Sequence, residues 1–470
     1  MSGGGVPGGA TALPPLPALQ LRAGLTGEEA QAQLQAQGVR YALASFVDLH
    51  GVCKAKAVPI DHLPAMLAGS ELFTGAALDG VPQDVSDDEV ATLPDLSSAT
   101  VLPWRPDTVW MASNLQLHGQ PFEACSRTIL CRVRDQAARM GLRFNLGVET
   151  EFFVLRRGPD GELMPASAAD TLEKPCYDLR GLLDNLDWLD ELVRAMNGLG
   201  WGVYSFDHED GNGQFETDFG YADGLITADR VTFFRLMARE ITRRHGLIAS
   251  FMPKPFGDRT GSGAHFNMSL ADLASGSNLF TPEDGRAGWV SPLGRQFIAG
   301  ILRHAPAICA VIAPTVNSYK RLVVQGSMSG FTWAPVFICY GNNNRTNMLR
   351  IPGAGSRVEC RATDSACNPY LAAALLLAAG LEGIREELDP GEPNLVNAYR
   401  LSPEERARRG LTTLPRTLGE AIEAFAVDPL AREVFGEAMA DAFIAFKREE
   451  WASYHGTISR WETERYLELF

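Results

Sequence analysis

This chain predicts an α/β fold organised around a sheet or barrel. Three observations carry that expectation. Helical and strand-like patterns alternate from Ser126 onward instead of falling into separate α and β blocks. Four short segments, Leu146–Phe153, Gln214–Phe219, Ala264–Ser269 and Arg357–Thr363, set polar side chains on one strand face and apolar ones on the other. A length of 470 residues, 46% of them hydrophobic and 21% charged, allows a large buried core.

The elements follow in order. Residues 1–20 are rich in Gly, Pro and Ala and read as a disordered tail. Thr26–Gln37 reads as a helix, and Tyr41–Asp48 and Ala55–Ile60 as strands joined by a His50-Gly51 turn. Gly75–Asp95 reads as loop. Strand-like pieces at Thr100–Leu102 and Thr108–Leu115 close a small, mostly β domain over 21–120. The second domain, 121–470, begins with a helix over Arg127–Met140 that stops before Gly141, then a strand over Phe144–Leu155. Asp184–Leu199 reads as a helix and Gly202–Ser205 as a strand. Thr227 is read as the cap of a helix reaching His245. Leu247–Phe251 and Gly263–Ser269 read as strands. Asn368-Pro369 and Asp428-Pro429 each place a capping side chain before a first-turn proline, the signature of a helix start.

Composition narrows the function. A formal charge of −15 argues against nucleic acid or an anionic membrane as the main partner, but leaves room for phosphate ligands held by local arginines and metals. The eight cysteines are scattered with no CxxC pair, which favours reduced thiols over disulfides. The N-terminus lacks a basic start followed by an apolar run, and the longest apolar stretch, Tyr370–Leu381, is too short to span a bilayer. A cytoplasmic protein is expected.

The chemistry lies on the strand faces. Period two aligns Glu149 with Glu151, then Gln214 with Glu216 and Asp218, His265 with Asn267 and Ser269, and Arg357 with Glu359 and Arg361. Carboxylates in apolar strands are costly unless paired, and a cavity holding divalent metals and an anionic substrate would pair them together. Plainer readings exist for each part. Glu149 and Glu151 could face solvent on an edge strand, although apolar residues from Phe144 to Val154 weigh against this. Glu209 lies in an acidic, Gly-rich turn of a common kind. A lone histidine such as His265 is ordinarily structural, but the preceding Gly261-Ser262-Gly263 permits close backbone approach to a ligand. Lys320, Arg321, Arg345, Arg350, Arg357 and Arg361 could be surface charges; Arg345 and Arg350 fall on irregular-looking segments that could fix them for carboxylate or phosphate recognition. Carboxylates with one imidazole favour Mg²⁺ or Mn²⁺ over structural zinc.

Several motifs then become specific: Gly147-Val-Glu-Thr-Glu-Phe-Phe153, Phe251-Met-Pro-Lys-Pro255, Gly261-Ser-Gly-Ala-His265, Pro314-Thr-Val-Asn-Ser-Tyr-Lys-Arg-Leu322, Asn344-Arg345, Arg350-Ile-Pro352, Arg357-Val-Glu-Cys-Arg361 and Asn368-Pro-Tyr-Leu371. In this order the sequence resembles the glutamine synthetase family from about Tyr41 to Phe470. The resemblance implies an α+β class, with an N-terminal β-grasp domain and a catalytic domain around a curved antiparallel sheet or barrel. It implies one metal held by Glu151, Glu209 and Glu216, and a second by Glu149, His265 and Glu359. Arg345 and Arg357 would contact nucleotide phosphates, Tyr221 would sit near the adenine and Ser269 near the nucleotide. Arg321 and Arg361 would grip the glutamate carboxylates or the transferred phosphoryl group. Arg350 would lie near the phosphate, and Gly261 would approach the amino acid. The implied reaction is ATP-dependent: the glutamate side chain is phosphorylated, and an amine then displaces phosphate to leave a γ-glutamylamide. Partners implied are glutamate, ATP and a small amine or ammonia, in a homo-oligomeric ring assembly (a dodecamer by resemblance).

The chain departs from ammonia-using members at the flap. Their Pro-Gly-Tyr-Glu-Ala-Pro is replaced by a longer Ser-Gly-Phe-Thr-Trp-Ala-Pro335, with Trp333 where the glutamate would stand. That form resembles the branch of type III glutamine synthetases and glutamate–methylamine ligases. Asp79-Gly80 is a candidate for the family's ammonium-site aspartate. The rival expectation is a catalytically silent family member acting as scaffold or regulator. Such proteins lose metal ligands, whereas all six candidates are present here.

Overall fold

The computed structural model describes residues 21, 24–323 and 334–470. The expected N-terminal tail and Trp333 lie outside them.

The first sheet is built from β1 (Tyr41–Val47), β2 (Cys53–Pro59), β3 (Leu72–Phe73), β4 (Val90–Pro94), β5 (Thr100–Leu102), β6 (Arg105–Leu117) and β7 (Gln120–Pro121). Its order is β2-β1-β6-β4-β3, with β5 and β7 also on β6. Only β1 and β6 pair in parallel. Helix α1 (Gly27–Ala36) starts at a capping box between Thr26 and Glu29, and lays Ala30 and Leu34 onto Ala42, Ala44, Val109 and Met111. Helix α2 (Leu63–Leu67) closes the same small core with Leu63 and Met66.

Helix α3 (Ser126–Arg139) leads into β8 (Leu142–Arg157), the long strand around which the second sheet forms. There follow β9 (Leu163–Pro165), α4 (Leu179–Leu183), α5 (Leu186–Gly198), β10 (Val203–His208), β11 (Gln214–Phe219), β12 (Ala222–Asp223), α6 (Gly224–Arg244), β13 (Ile248–Ser250) and β14 (Ala264–Asp272). Beyond them lie α7 (Pro292–Arg303), α8 (Ala305–Ile312), α9 (Ser318–Arg321), β15 (Phe337–Asn342), β16 (Asn347–Ile351), β17 (Val358–Cys360), α10 (Pro369–Arg385), α11 (Pro403–Arg408) and β18 (Thr412–Thr413). The chain ends with α12 (Leu418–Val427), α13 (Pro429–Phe435), α14 (Glu437–His455) and α15 (Arg460–Tyr466). The strand order is β10-β11-β8-β14-β17-β16-β15-β18. Every neighbouring pair is antiparallel except β15 with β16.

The fold is therefore α+β with a curled, mainly antiparallel sheet, as the family resemblance implies. The alternation of helix and strand by itself suggests an α/β class, and that expectation is corrected to α+β by the mainly antiparallel pairing: sequence order says which element comes next, not which strand it pairs with. Three local readings also change. Thr227 lies inside α6, its hydroxyl donating to the Leu146 carbonyl at 2.7 Å, and Asp223 caps the helix instead. The expected loop over 75–95 contains β4. Arg350 sits on strand β16 rather than on an irregular segment.

Helices pack behind the sheet, and α10 is almost wholly buried. Its cap, Asn368, accepts from the backbone of Tyr370 and Leu371 while donating to Asp48 and Leu49 of the first sheet's turn. Glycine allows α7 and α10 to touch backbone to backbone. A Cβ on Gly300 would lie 1.9 Å from the Ala379 carbonyl oxygen, and one on Gly383 would lie 2.1 Å from that of Gln296. The eight cysteines are unpaired, and no helix among the described residues is long and apolar enough to cross a membrane.

Candidate active site

The polar faces read from the sequence assemble on one side of consecutive strands. Register pairs Glu216 of β11 with Glu151 of β8, and Glu149 of β8 with His265 of β14. It pairs Asn267 of β14 with Glu359 of β17, and Glu359 with Arg350 of β16. Five strands thus carry the site, each held by its ladder hydrogen bonds.

Two groups of possible metal donors result. Oxygens of Glu151, Glu209 and Glu216 lie within 4.8 Å of one another, as do donor atoms of Glu149, Glu216 and His265. The first group matches the expected first ligand set. In the second, Glu216 stands where Glu359 is expected. Glu359 is fully buried, with Oε1 3.6 Å from His265 Nδ1, but Arg350 and Arg361 each donate to one of its oxygens at 2.5 Å. Two guanidiniums satisfy that carboxylate directly.

The electrostatics divide accordingly. Burial, then the charges of Glu151 and Asp207, pushes the Glu209 carboxyl up to about 8. Burial with Glu151 and Asp218 raises Glu216 well above the usual carboxylate range, and burial with Glu149 and Asp207 brings Asp218 to about 7. Burial also opposes ionisation of Glu149, but hydrogen bonds from His265 and Asn267 outweigh it and hold the carboxyl down at about 2. Carboxylates this crowded resist ionising together unless cations sit among them, and a donor set of carboxylates with one imidazole suits hard divalent ions. The residues present therefore fit a divalent metal.

The remaining predicted residues surround this cluster. Arg321, on α9, donates to the Ala362 and Arg361 carbonyls at 3.1 and 2.9 Å. Gly261 lies against it: a Cβ there would stand 2.5 Å from the Pro253 carbonyl oxygen and 2.9 Å from Arg321 Cγ. Arg357 donates through Nε to Asn267 Oδ1 at 2.7 Å, and Asn267 donates to Glu149 at 2.9 Å. Ser269 follows two residues along β14, partly buried. Tyr221 is 69% exposed beside Gly147, and Arg345 is exposed in the turn before β16. Ser269 and Tyr221 are not among the donors of the carboxylate cluster. Asp79 is largely exposed, 3.7 Å from His50 on the first sheet's turn.

Residues 123–466 match the model of the glutamine synthetase catalytic domain. The chain is 42% identical over 448 residues to the glutamate–methylamine ligase of Methyloversatilis universalis, covering 95% of this chain and 100% of that protein.

This chain belongs to the glutamine synthetase family.

A glutamine synthetase of Rhizobium meliloti is 39% identical over 435 residues, covering 92% of this chain and 98% of its own. Among solved structures, a GmaS/ADP complex superposes with a TM-score of 0.87 at 40% identity, spanning 94% of this chain and 100% of that one. The glutamine synthetase sheet also carries residues that the strand pattern does not single out for a role. Gln214 Nε2 donates to Glu151 Oε2 at 3.3 Å and to the Gly261 carbonyl at 3.1 Å, joining the two sides of the cluster. Gln214 shares a strand face with Glu216, which is the signal available for it. Asp170 reaches the cluster's rim from an irregular segment, and no periodicity marks it.

Proposed function

We propose that this protein is an ATP-dependent glutamate–amine ligase that joins glutamate to a small primary amine or ammonia through γ-glutamyl phosphate. The observation that carries the reading is one cluster of five metal-type donors, Glu149, Glu151, Glu216 and His265 on a sheet face and Glu209 on the turn beside it, flanked by Arg321, Arg350, Arg357 and Arg361. Glu151, Glu209 and Glu216 would hold one Mg²⁺ or Mn²⁺ ion, and Glu149 and His265, with Glu216 shared and Glu359 nearby, would hold a second. Bound there, the ions supply Lewis-acid charge that offsets the nucleotide and acyl phosphates.

The chain's own groups do the positioning. Arg345 and Arg357 bind the nucleotide phosphates, with Ser269 and Tyr221 toward the nucleoside. Arg321 and Arg361 take the glutamate carboxylates or the transferred phosphoryl group, and Gly261 lets the amino acid approach its backbone. Arg350, neutralised in part by Glu359, stands by for phosphate. The chemistry converts an oxide leaving group into phosphate, so water has to be excluded from the acyl phosphate. A tryptophan in the flap sequence, Trp333, favours an apolar substituent on the amine. The name of the Methyloversatilis relative supports methylamine as a first acceptor to try. Ring assembly of subunits, with the catalytic domain over 121–470, belongs to the same reading, and light scattering tests it.

The test is glutamate-dependent phosphate release from ATP across an amine panel that includes methylamine and ammonia. Release that needs glutamate and one of the amines supports the reading. No release with any amine defeats it and favours the silent-scaffold alternative.

A further inference from the structure

The turn that carries Glu209 is tied down from outside the sheet. His208 is completely buried at the end of β10. Its Nδ1 faces the Glu209 carbonyl at 2.8 Å, and its Nε2 faces Asp170 Oδ2 at 2.8 Å. Both partners are acceptors, so both ring nitrogens donate. The same Asp170 carboxylate accepts from Asn212 Nδ2 at 2.7 Å and from the Gly213 backbone N–H at 2.6 Å. Asp170 is itself buried. One carboxylate therefore grips the turn at His208, Asn212 and Gly213, on both sides of Glu209 and just before Glu216. The Tyr177 N–H adds a further tie, donating to the His208 carbonyl at 2.9 Å. There is little room to spare: a Cβ on Gly181 would lie 2.9 Å from the imidazole.

None of these groups reaches Glu149 or His265 by a hydrogen bond, and the donor that the turn itself carries, Glu209, belongs to one donor group alone, whereas Glu216 beyond the turn is shared by both. We propose that Asp170 is a positioning residue that fixes Glu209, through His208 and the 212–213 backbone, for the cation site it forms with Glu151 and Glu216. It tunes that site selectively over the one at Glu149 and His265. The inference rests on the metal reading given under Proposed function. Outer groups that orient ligands without touching the ion carry much of a site's affinity.

Asp170→Asn keeps the shape but replaces one acceptor oxygen with a donor that faces the His208, Asn212 or Gly213 donors. Mn²⁺ alone is titrated into the full chain by calorimetry, with free Mn²⁺ counted by paramagnetic resonance. Glu209→Gln identifies which binding step belongs to its site. The expected result is that Asp170→Asn weakens that step by about 10–100-fold while leaving the other step within about twofold. Asn212→Ala removes one of the three ties and gives a smaller loss in the same step. It carries the test if Asp170→Asn does not fold by circular dichroism.

Equal weakening of both steps would mark a merely structural role and overturn the proposal. So would no weakening in either variant while Glu209→Gln abolishes one step. If the unaltered protein binds no Mn²⁺, the metal reading itself fails, a result distinct from either of these, and the proposal fails with it.

Discussion

Glu216 is the residue on which the two donor groups meet, because its place opposite Glu151 leaves it also within reach of Glu149 and His265. Glu216→Gln should therefore cut glutamate-dependent phosphate release by more than about 100-fold, since a direct ligand costs at least as much as its outer-shell support. It should weaken both Mn²⁺ steps, whereas Glu209→Gln weakens one. The same variant should raise the melting midpoint of the metal-free protein, by about 1–2 °C, because it removes one of several mutually repelling acids. A scan of both properties checks the pair. The crowding also sets a pH dependence. Glu209 and Asp218 have folded values of about 8 and 7, above their ordinary range. A raised folded pKa gives stability that is fully present below the unfolded value, about 4 for carboxyls, and lost as pH rises through the folded value. The metal-free protein should thus melt progressively lower from pH 5 to pH 8.5, and Mg²⁺ or Mn²⁺ should restore most stability at the alkaline end. Differential scanning at both ends of this range, with and without metal, measures it; a metal benefit larger at pH 5 than at pH 8.5 contradicts the sign.

At the scale of elements, two junctions hold the helices behind the sheet. Gly300 on α7 lies against the Ala379 carbonyl of α10. Gly300→Ala should cost about 3 kcal/mol, because the neighbouring atom is backbone and cannot swing aside as a side chain would. Denaturant midpoints give the value. The second junction is His304, between α7 and α8. It is buried, with Nδ1 2.7 Å from Asp428, the cap of α13, and Nε2 bonded to Glu382 of α10. Burial opposes its charge, but the two carboxylates outweigh burial and raise its pKa. The contribution of His304 is then complete below about 6.5 and fades as pH rises through the raised value. His304→Gln should destabilise by about 3 kcal/mol at pH 6 and by less at pH 9. An equal loss at both would show that the imidazole acts by packing rather than by charge.

At the scale of the molecule, the two sheets are joined through Arg127. It is buried and donates to Asp229 of α6 at 3.0 and 2.9 Å, and to Asp95 of the first sheet's rim at 2.8 Å. Tyr370 of α10 donates to Asp229 as well, at 2.7 Å. Arg127→Ala should destabilise by about 3–5 kcal/mol, since it strands Asp229 in the interior. The double change Arg127→Met with Asp229→Leu should recover part of that loss, which denaturant titration of the three proteins would reveal.

Much of this protein was determined by sequence alone. Period two put Glu149 with Glu151 and Glu216 with Gln214, because a strand alternates its side chains whatever it pairs with. Asn368-Pro369 and Asp428-Pro429 started helices where they stood, because capping is local. Thr227 misled because any threonine before an apolar run resembles a cap until the preceding Asp223 is seen to take that role. Only the tertiary structure decided that β8 lies between β11 and β14, and hence that Glu216 serves both donor groups. It also decided that Asp170 meets His208 across 38 residues and that Arg350 and Arg361 share Glu359. Strand order and long-range hydrogen bonds are set by how the whole chain buries its surface, and no local pattern records that.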